Sequence, residues 1–222
     1  MIATQVREEQ RIRLPVLEGL PAGDLVIPPR AFGVMAFVHA SGSGRRSGRD
    51  RAVARVLQRG GIGSFLFDLL SNDEERDSAN VFDVELLTGR LARAVDVLGE
   101  RCESAGLPLG LFGEGTGTAA ALCLAARRPG AVRAIVSRGG RPDLARPWVP
   151  YVESPTLFVV GGRDTLVLEL NQLAALRMQA PHRLVTVPGA GHLFEEPGAL
   201  AQVAVLARDW ATGWFTGHAG GS

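Results

Sequence analysis

The chain has 222 residues and a mass of 23.5 kDa, enough for one well-buried α/β core, and its length demands no second one. Hydrophobic residues make up 46% and charged residues 21%, which excludes a wholly disordered chain. The formal charge of +1, from 24 basic residues against 23 acidic ones, supplies no overall field for nucleic acid or an anionic membrane, so neither is expected as a partner.

Every basic residue is Arg, which reads as composition rather than as a phosphate site. Cys102 and Cys123 stand in no metal-ligand spacing and no disulfide framework, and they read as small buried residues in helices. No metal or organic cofactor is implied. Residues 1–10 lack the apolar core of a signal peptide, and the longest apolar stretch, 119–126, is too short to span a bilayer, so a soluble cytoplasmic protein is expected. Its expected partner is a small-molecule substrate or ligand, and it is expected as a monomer or homodimer.

In chain order, strands are predicted at 12–16, 24–27 and 33–39, a helix at 49–59, and a strand at 64–69. A polar, acidic loop at 71–80 follows, then a helix at 84–104 whose Leu87, Leu91, Val95 and Leu98 recur at helical spacing. Next come a strand at 109–112, a helix at 116–127, and a strand at 134–137. Irregular backbone is expected over 139–155, then a strand at 156–160, a helix at 167–178, a strand at 184–187 and a helix at 199–215. The tail from 217 is expected to fray. Strands alternating with helices predict a mostly parallel sheet flanked by helices, in a single domain over residues 1–222.

Gly113-Glu114-Gly115-Thr116-Gly117 joins an apolar strand to an Ala-rich helix, the context of a G-x-S-x-G nucleophile elbow. By itself the pentapeptide reads equally well as a glycine-rich turn. Its middle position normally carries Ser, Cys or Asp, whereas Gly115 has no side chain with which to attack. Gly161-Gly162-Arg163-Asp164 follows one late strand and Gly189-Ala190-Gly191-His192 the next. Gly115, Asp164, His192 thus repeats the chain order nucleophile, acid, histidine. Singly, Asp164 reads as a helix cap and His192 as a solvated loop residue; together they read as a catalytic dyad.

These stretches, with Val159 to Asp164 and Gly191 to Gly198, resemble the small α/β hydrolases related to dienelactone hydrolase over nearly the whole chain. The resemblance implies an α/β-hydrolase fold with no large cap over the pocket. His39-Ala40-Ser41-Gly42-Ser43-Gly44 is similar to the family's HGSGS-type loop, with Ala40 in place of the usual Gly. The family then implies an oxyanion hole from the N–H of Thr116 and of a residue near Ala40 or Ser41, with His39 and Glu114 at the pocket. Ser137-Arg138-Gly139-Gly140 also resembles a family segment and is read as packing.

Loss of the nucleophile from a Ser triad lowers the rate by about six orders of magnitude, so ordinary esterase turnover is not expected. The expectation is hydrolase-like chemistry on a small ester, lactone or related carbonyl compound, with His192 activating a water and Asp164 orienting the ring. Addition, elimination or cyclisation through the same dyad stays open, as do Thr116, Glu114, Ser41 and Ser43 as substitute nucleophiles. A catalytically silent binding protein and an active-site Ser-to-Gly variant are further alternatives. A remote one is dinucleotide binding, from Gly42, Gly44 and Gly48 with Asp68 ending the next strand and Arg45, Arg46 and Arg49 nearby.

Overall fold

The structure is a computed structural model that describes residues 10–15, 17–18, 20–40 and 45–217. Among the described residues eight strands form one sheet: β1 (Gln10–Leu14), β2 (Gly23–Ile27), β3 (Val34–Val38), β4 (Gly63–Leu66), β5 (Leu109–Glu114), β6 (Ala134–Arg138), β7 (Thr156–Gly161) and β8 (His182–Val187). Their order is β1-β2-β4-β3-β5-β6-β7-β8, with the β1–β2 and β2–β4 pairs antiparallel and the other pairs parallel. Six α-helices accompany the described strands: α1 (Gly48–Arg59), α2 (Ser78–Phe82), α3 (Val84–Ser104), α4 (Thr116–Arg127), α5 (Thr165–Ala175) and α6 (Ala199–Phe215).

The period-2 pleat divides the core into two layers. In β3, Val34, Ala36 and Val38 face the layer that holds Leu87, Leu91 and Leu98 of α3 and Ala119 to Ala125 of α4. Met35 and Phe37 face the opposite layer, with Val53 and Leu57 of α1 and Val203, Ala207 and Ala211 of α6. Strands covered on both faces read as continuous apolar runs, which is why β3, β5, β6 and β7 are buried along nearly their whole lengths. Helix α4 is buried continuously from Thr116 to Ala125, so it must be apolar all round, and its small side chains let it lie close to the sheet.

Helices α3, α4 and α6 keep the predicted bounds. β4 stops at Leu66 rather than at 69, which leaves Asp68 in the following loop. α5 starts at Thr165 and ends at Ala175, because Asp164 already stands at its N-cap. The expected loop at 71–80 is partly ordered: a 3-10 turn covers Glu74–Arg76, and α2 starts at Ser78 with the Asp77 carboxylate accepting from Ala79 N–H at 2.9 Å. Side-chain capping of this kind leaves no trace in hydrophobic periodicity. Between β6 and β7 the irregular chain carries two 3-10 turns, Pro142–Ala145 and Val149–Tyr151, and no large cap domain. Val16 and residues 218–222 lie outside the described residues.

Among the described residues no helix is long and apolar enough to cross a membrane. The chain runs from β3 to β4 on one side and returns to β5 on the other, so the sheet's switch point lies at the carboxyl ends of β3 and β5. Ligands of open α/β sheets bind at such a crevice.

Candidate active site

β5 ends at Glu114, and α4 begins at Thr116 with Gly115 as its N-cap. Gly115 has φ 52° and ψ −126°, a left-handed conformation that L side chains rarely adopt. A Cβ added there would meet nothing within 4 Å. The flanking glycines are required for a different reason. A Cβ on Gly117 would stand 2.1 Å from the Val38 carbonyl oxygen, and one on Gly113 would stand 2.7 Å from Thr118 Cα. The outer glycines therefore allow the chains to approach, whereas the middle one permits a strained turn beside open space. Thr116 is 8% exposed at the start of α4, where unpaired N–H groups and the helix dipole favour negative charge.

Asp164 occupies the N-cap of α5 without making a side-chain cap hydrogen bond. Its Oδ2 instead lies 2.6 Å from His192 Nδ1. An ionised carboxylate can only accept, so in that pairing Nδ1 is the donor, and in a neutral ring Nε2 is then the acceptor. The Asp164 side chain is 14% exposed and that of His192 is 51% exposed, so the imidazole stands at an open surface.

The histidine loop is held by groups that sequence reasoning passed over. The Glu196 carboxylate accepts from Gly191 N–H at 3.1 Å and pairs with Arg163, which joins the turn before His192 to the residue before Asp164. The backbone N–H groups of Glu196 itself and of Gly191, with Arg163, hold that carboxyl below the usual range. Phe194 takes a positive φ of 54° while being 2% exposed, so packing over-determines a strained residue two positions after the imidazole.

The segment after β6 links the two halves. Arg141 N–H donates to the Gly115 carbonyl at 2.9 Å, and a Cβ on Gly139 would lie 3.6 Å from His192 Nδ1 and Cε1. Ser137 Oγ lies 3.2 Å from Thr118 Oγ1 of α4. The stretch read as packing is thus packed between the elbow and the histidine.

Beneath the elbow lies a buried ionic cluster. The Arg138 side chain is 2% exposed, yet it reaches Asp50 Oδ1 at 3.1 Å and also pairs with Glu114. His39 Nδ1 lies 3.3 Å from Asp50 Oδ2, and the Arg138 guanidinium sits 5.6 Å from the Phe112 ring centroid. Burial raises the Asp50 carboxyl above its ordinary value, against the opposing pull of Arg138 and His39. The His39 ring is buried against Asp50 instead of lining an open pocket, and the Glu114 carboxylate is engaged by Arg138, which argues against its use as a nucleophile. Ala40 is buried at 2%, while Ser41, Gly42, Ser43 and Gly44 lie outside the described residues. Asp68, the candidate ribose ligand of a dinucleotide site, accepts instead from Arg45 N–H at 2.7 Å and pairs with the Arg45 side chain.

A dienelactone hydrolase from Anabaena variabilis has 45% sequence identity to the chain and superposes with a TM-score of 0.86, covering 94% of this chain and 99% of that one. The chain belongs to the dienelactone hydrolase-like α/β hydrolases. An esterase domain from a Rhodothermus marinus protein, 18% identical with a TM-score of 0.71 over 94% of this chain and 100% of that one, shares the α/β-hydrolase fold. No protein-family model matches. Two curated Mycobacterium tuberculosis relatives, from strains CDC 1551 and H37Rv, are 53% identical over 189 residues and are provisionally named phosphoribosyl transferases. The match covers 85% of this chain but only 43% of theirs, so the chain spans less than half the length of those relatives. The dienelactone hydrolase-like family therefore rests on a relative matched end to end, and the transferase name belongs to proteins matched only in part.

Proposed function

We propose that the chain is a hydrolase-like enzyme for a small ester, lactone or related carbonyl compound, using His192 and Asp164 as a general-base dyad and no covalent nucleophile. The observation that carries this reading is the 2.6 Å contact between His192 Nδ1 and Asp164 Oδ2 in a chain whose elbow keeps its turn but lacks a side chain. With Nδ1 engaged, Nε2 accepts a proton from a water, the water oxygen bonds to the substrate carbonyl carbon, and the leaving oxygen regains the proton as the tetrahedral species collapses. The N–H of Thr116, at the positive end of α4, is the proposed donor to the oxyanion. Removing one such donor typically lowers kcat by about 100- to 1,000-fold, so it is a major part of the rate left without a nucleophile.

The test is hydrolysis of p-nitrophenyl acetate and of a simple unsaturated lactone, followed against buffer. Slow turnover above the buffer rate, which His192→Ala abolishes, is expected. Rates identical for wild type and His192→Ala would remove the dyad from the chemistry. The absence of any side chain at Gly115 favours a second reading, a relative that binds such a compound without turning it over. That reading gains if the lactone protects the wild-type protein from heat while no product forms.

A further inference from the structure

A second polar groove lies at the antiparallel end of the sheet, built by residues with no part in the elbow or the dyad. Strand β1 presents Arg11 and Arg13 two residues apart, and therefore on one face. Helix α1 presents Arg51 and Arg55 four residues apart, on one helical face. These four, with Arg45, line a groove of about 390 Å³, in which Asp24 is the single acidic residue among the described lining. A chain of net charge +1 has thus gathered five guanidinium groups into one concavity.

The arginines are held in different ways. Arg45 is 11% exposed; Asp68 grips its Nε at 3.3 Å and its backbone N–H at 2.7 Å, while Asp24 lies 3.7 Å from Nη1. Arg13 Nε lies 3.4 Å from Asp24 Oδ1. Arg51 spends its Nε on the Arg45 carbonyl at 3.2 Å, which aims its fork without neutralising it. Among the described residues neither Arg51 nor Arg55 has a carboxylate partner. Like charges crowded into a concave wall repel one another and focus positive potential there, so the groove is relieved by an anion with several charges. Guanidinium forks match phosphate oxygens two at a time. The volume lies within the roughly 300–1,000 Å³ of small-molecule pockets, more than one isolated phosphate would fill.

We infer that this groove binds a small molecule carrying two or more linked phosphates. The inference is independent of the chemistry at His192. Its test is isothermal titration of the full chain with inorganic tripolyphosphate at low and at physiological salt. Saturable one-to-one binding that weakens as salt rises is expected. The Arg51→Glu/Arg55→Glu variant should lose at least about tenfold in affinity, the scale set by one charge-assisted hydrogen bond. Both side chains are exposed and the change relieves like-charge repulsion, so its melting temperature without ligand should not fall. Arg55→Gln, a milder change read in the same way, should weaken binding by about threefold and serves if the double variant fails to fold. Arg146→Glu/Arg183→Glu, the same change in net charge at two exposed residues outside the groove, should leave the affinity intact. Absence of saturable heat, or an equal loss in this control pair, would overturn the inference. A single-stranded RNA oligonucleotide that outcompetes tripolyphosphate would overturn its small-molecule part.

Discussion

At Gly115, φ 52° combined with open space around the missing Cβ means that a side chain would be conformationally strained but not sterically blocked. Serine there should destabilise the fold by about 1–3 kcal/mol, the ordinary cost of a non-glycine residue in such a conformation. Under the proposed general-base reading it should also supply a hydroxyl for the His192 imidazole to activate. The expected outcome for Gly115→Ser is a lower melting temperature together with stoichiometric labelling by a fluorophosphonate, and His192→Ala in the same background should suppress the labelling. A variant that is destabilised yet unlabelled would mean that the imidazole and the notch do not cooperate. At Gly117 the same reasoning runs the other way, because Val38 backbone fills the space a Cβ needs. Neighbouring glycines of one pentapeptide thus answer different physical demands, a distinction invisible in the letters alone.

At the scale of elements, the segment between β4 and α3 gains its order from charge. The Arg90 guanidinium makes two hydrogen bonds to the Glu74 carboxylate, at 2.8 and 2.7 Å, and a third to the Leu69 carbonyl. Hydrogen bonding from Arg90, then from Ser71 N–H, lowers the Glu74 carboxyl to about 2. Because the folded-state value lies below the unfolded one, the stabilisation is complete above the ordinary carboxylate range and fades as pH falls toward about 2. The Glu74 side chain is 34% exposed, so solvent screening limits the pair to about 1 kcal/mol or less. Arg90→Ala should lower the melting temperature at neutral pH by a few degrees and flatten its decline between pH 4.5 and pH 2, as read by calorimetry. An unchanged acid profile would assign the ordering of this segment to other contacts.

Across the whole molecule, Arg138 joins elements far apart in sequence: β6, α1 through Asp50, and the elbow through Glu114. Removing the cation leaves two carboxylates in a desolvated site, so Arg138→Met should cost about 3–5 kcal/mol in chemical denaturation. Adding Asp50→Asn and Glu114→Gln should recover much of that loss, because what destabilises is the unpaired charge rather than the absence of the bridge. If the triple variant is as unstable as the single one, Arg138 stabilises the fold chiefly by packing on Phe112 instead.

Much of the architecture follows from local patterns. Apolar runs of strand length alternating with amphipathic runs were enough for eight strands and the five longer helices, because burial on two faces and on one face leave different periodicities. The order Gly115, Asp164, His192 was equally open to reading, since each follows a strand and strands of a parallel sheet deliver their carboxyl ends to one edge. Helix α2 escaped because it is short and held by caps. The Arg163–Glu196 tie, the burial of His39 against Asp50 and the Arg138 bridge escaped because a charged letter is read as solvated until its partner is known. What sequence alone determined was the layering and the succession of loops at the sheet's edge, which depend on periodicity and turn chemistry within a few residues. Tertiary structure alone decided which charges are buried together, which glycine stands beside open space, and that five arginines share one groove. Those outcomes depend on segments that meet only once the sheet has formed.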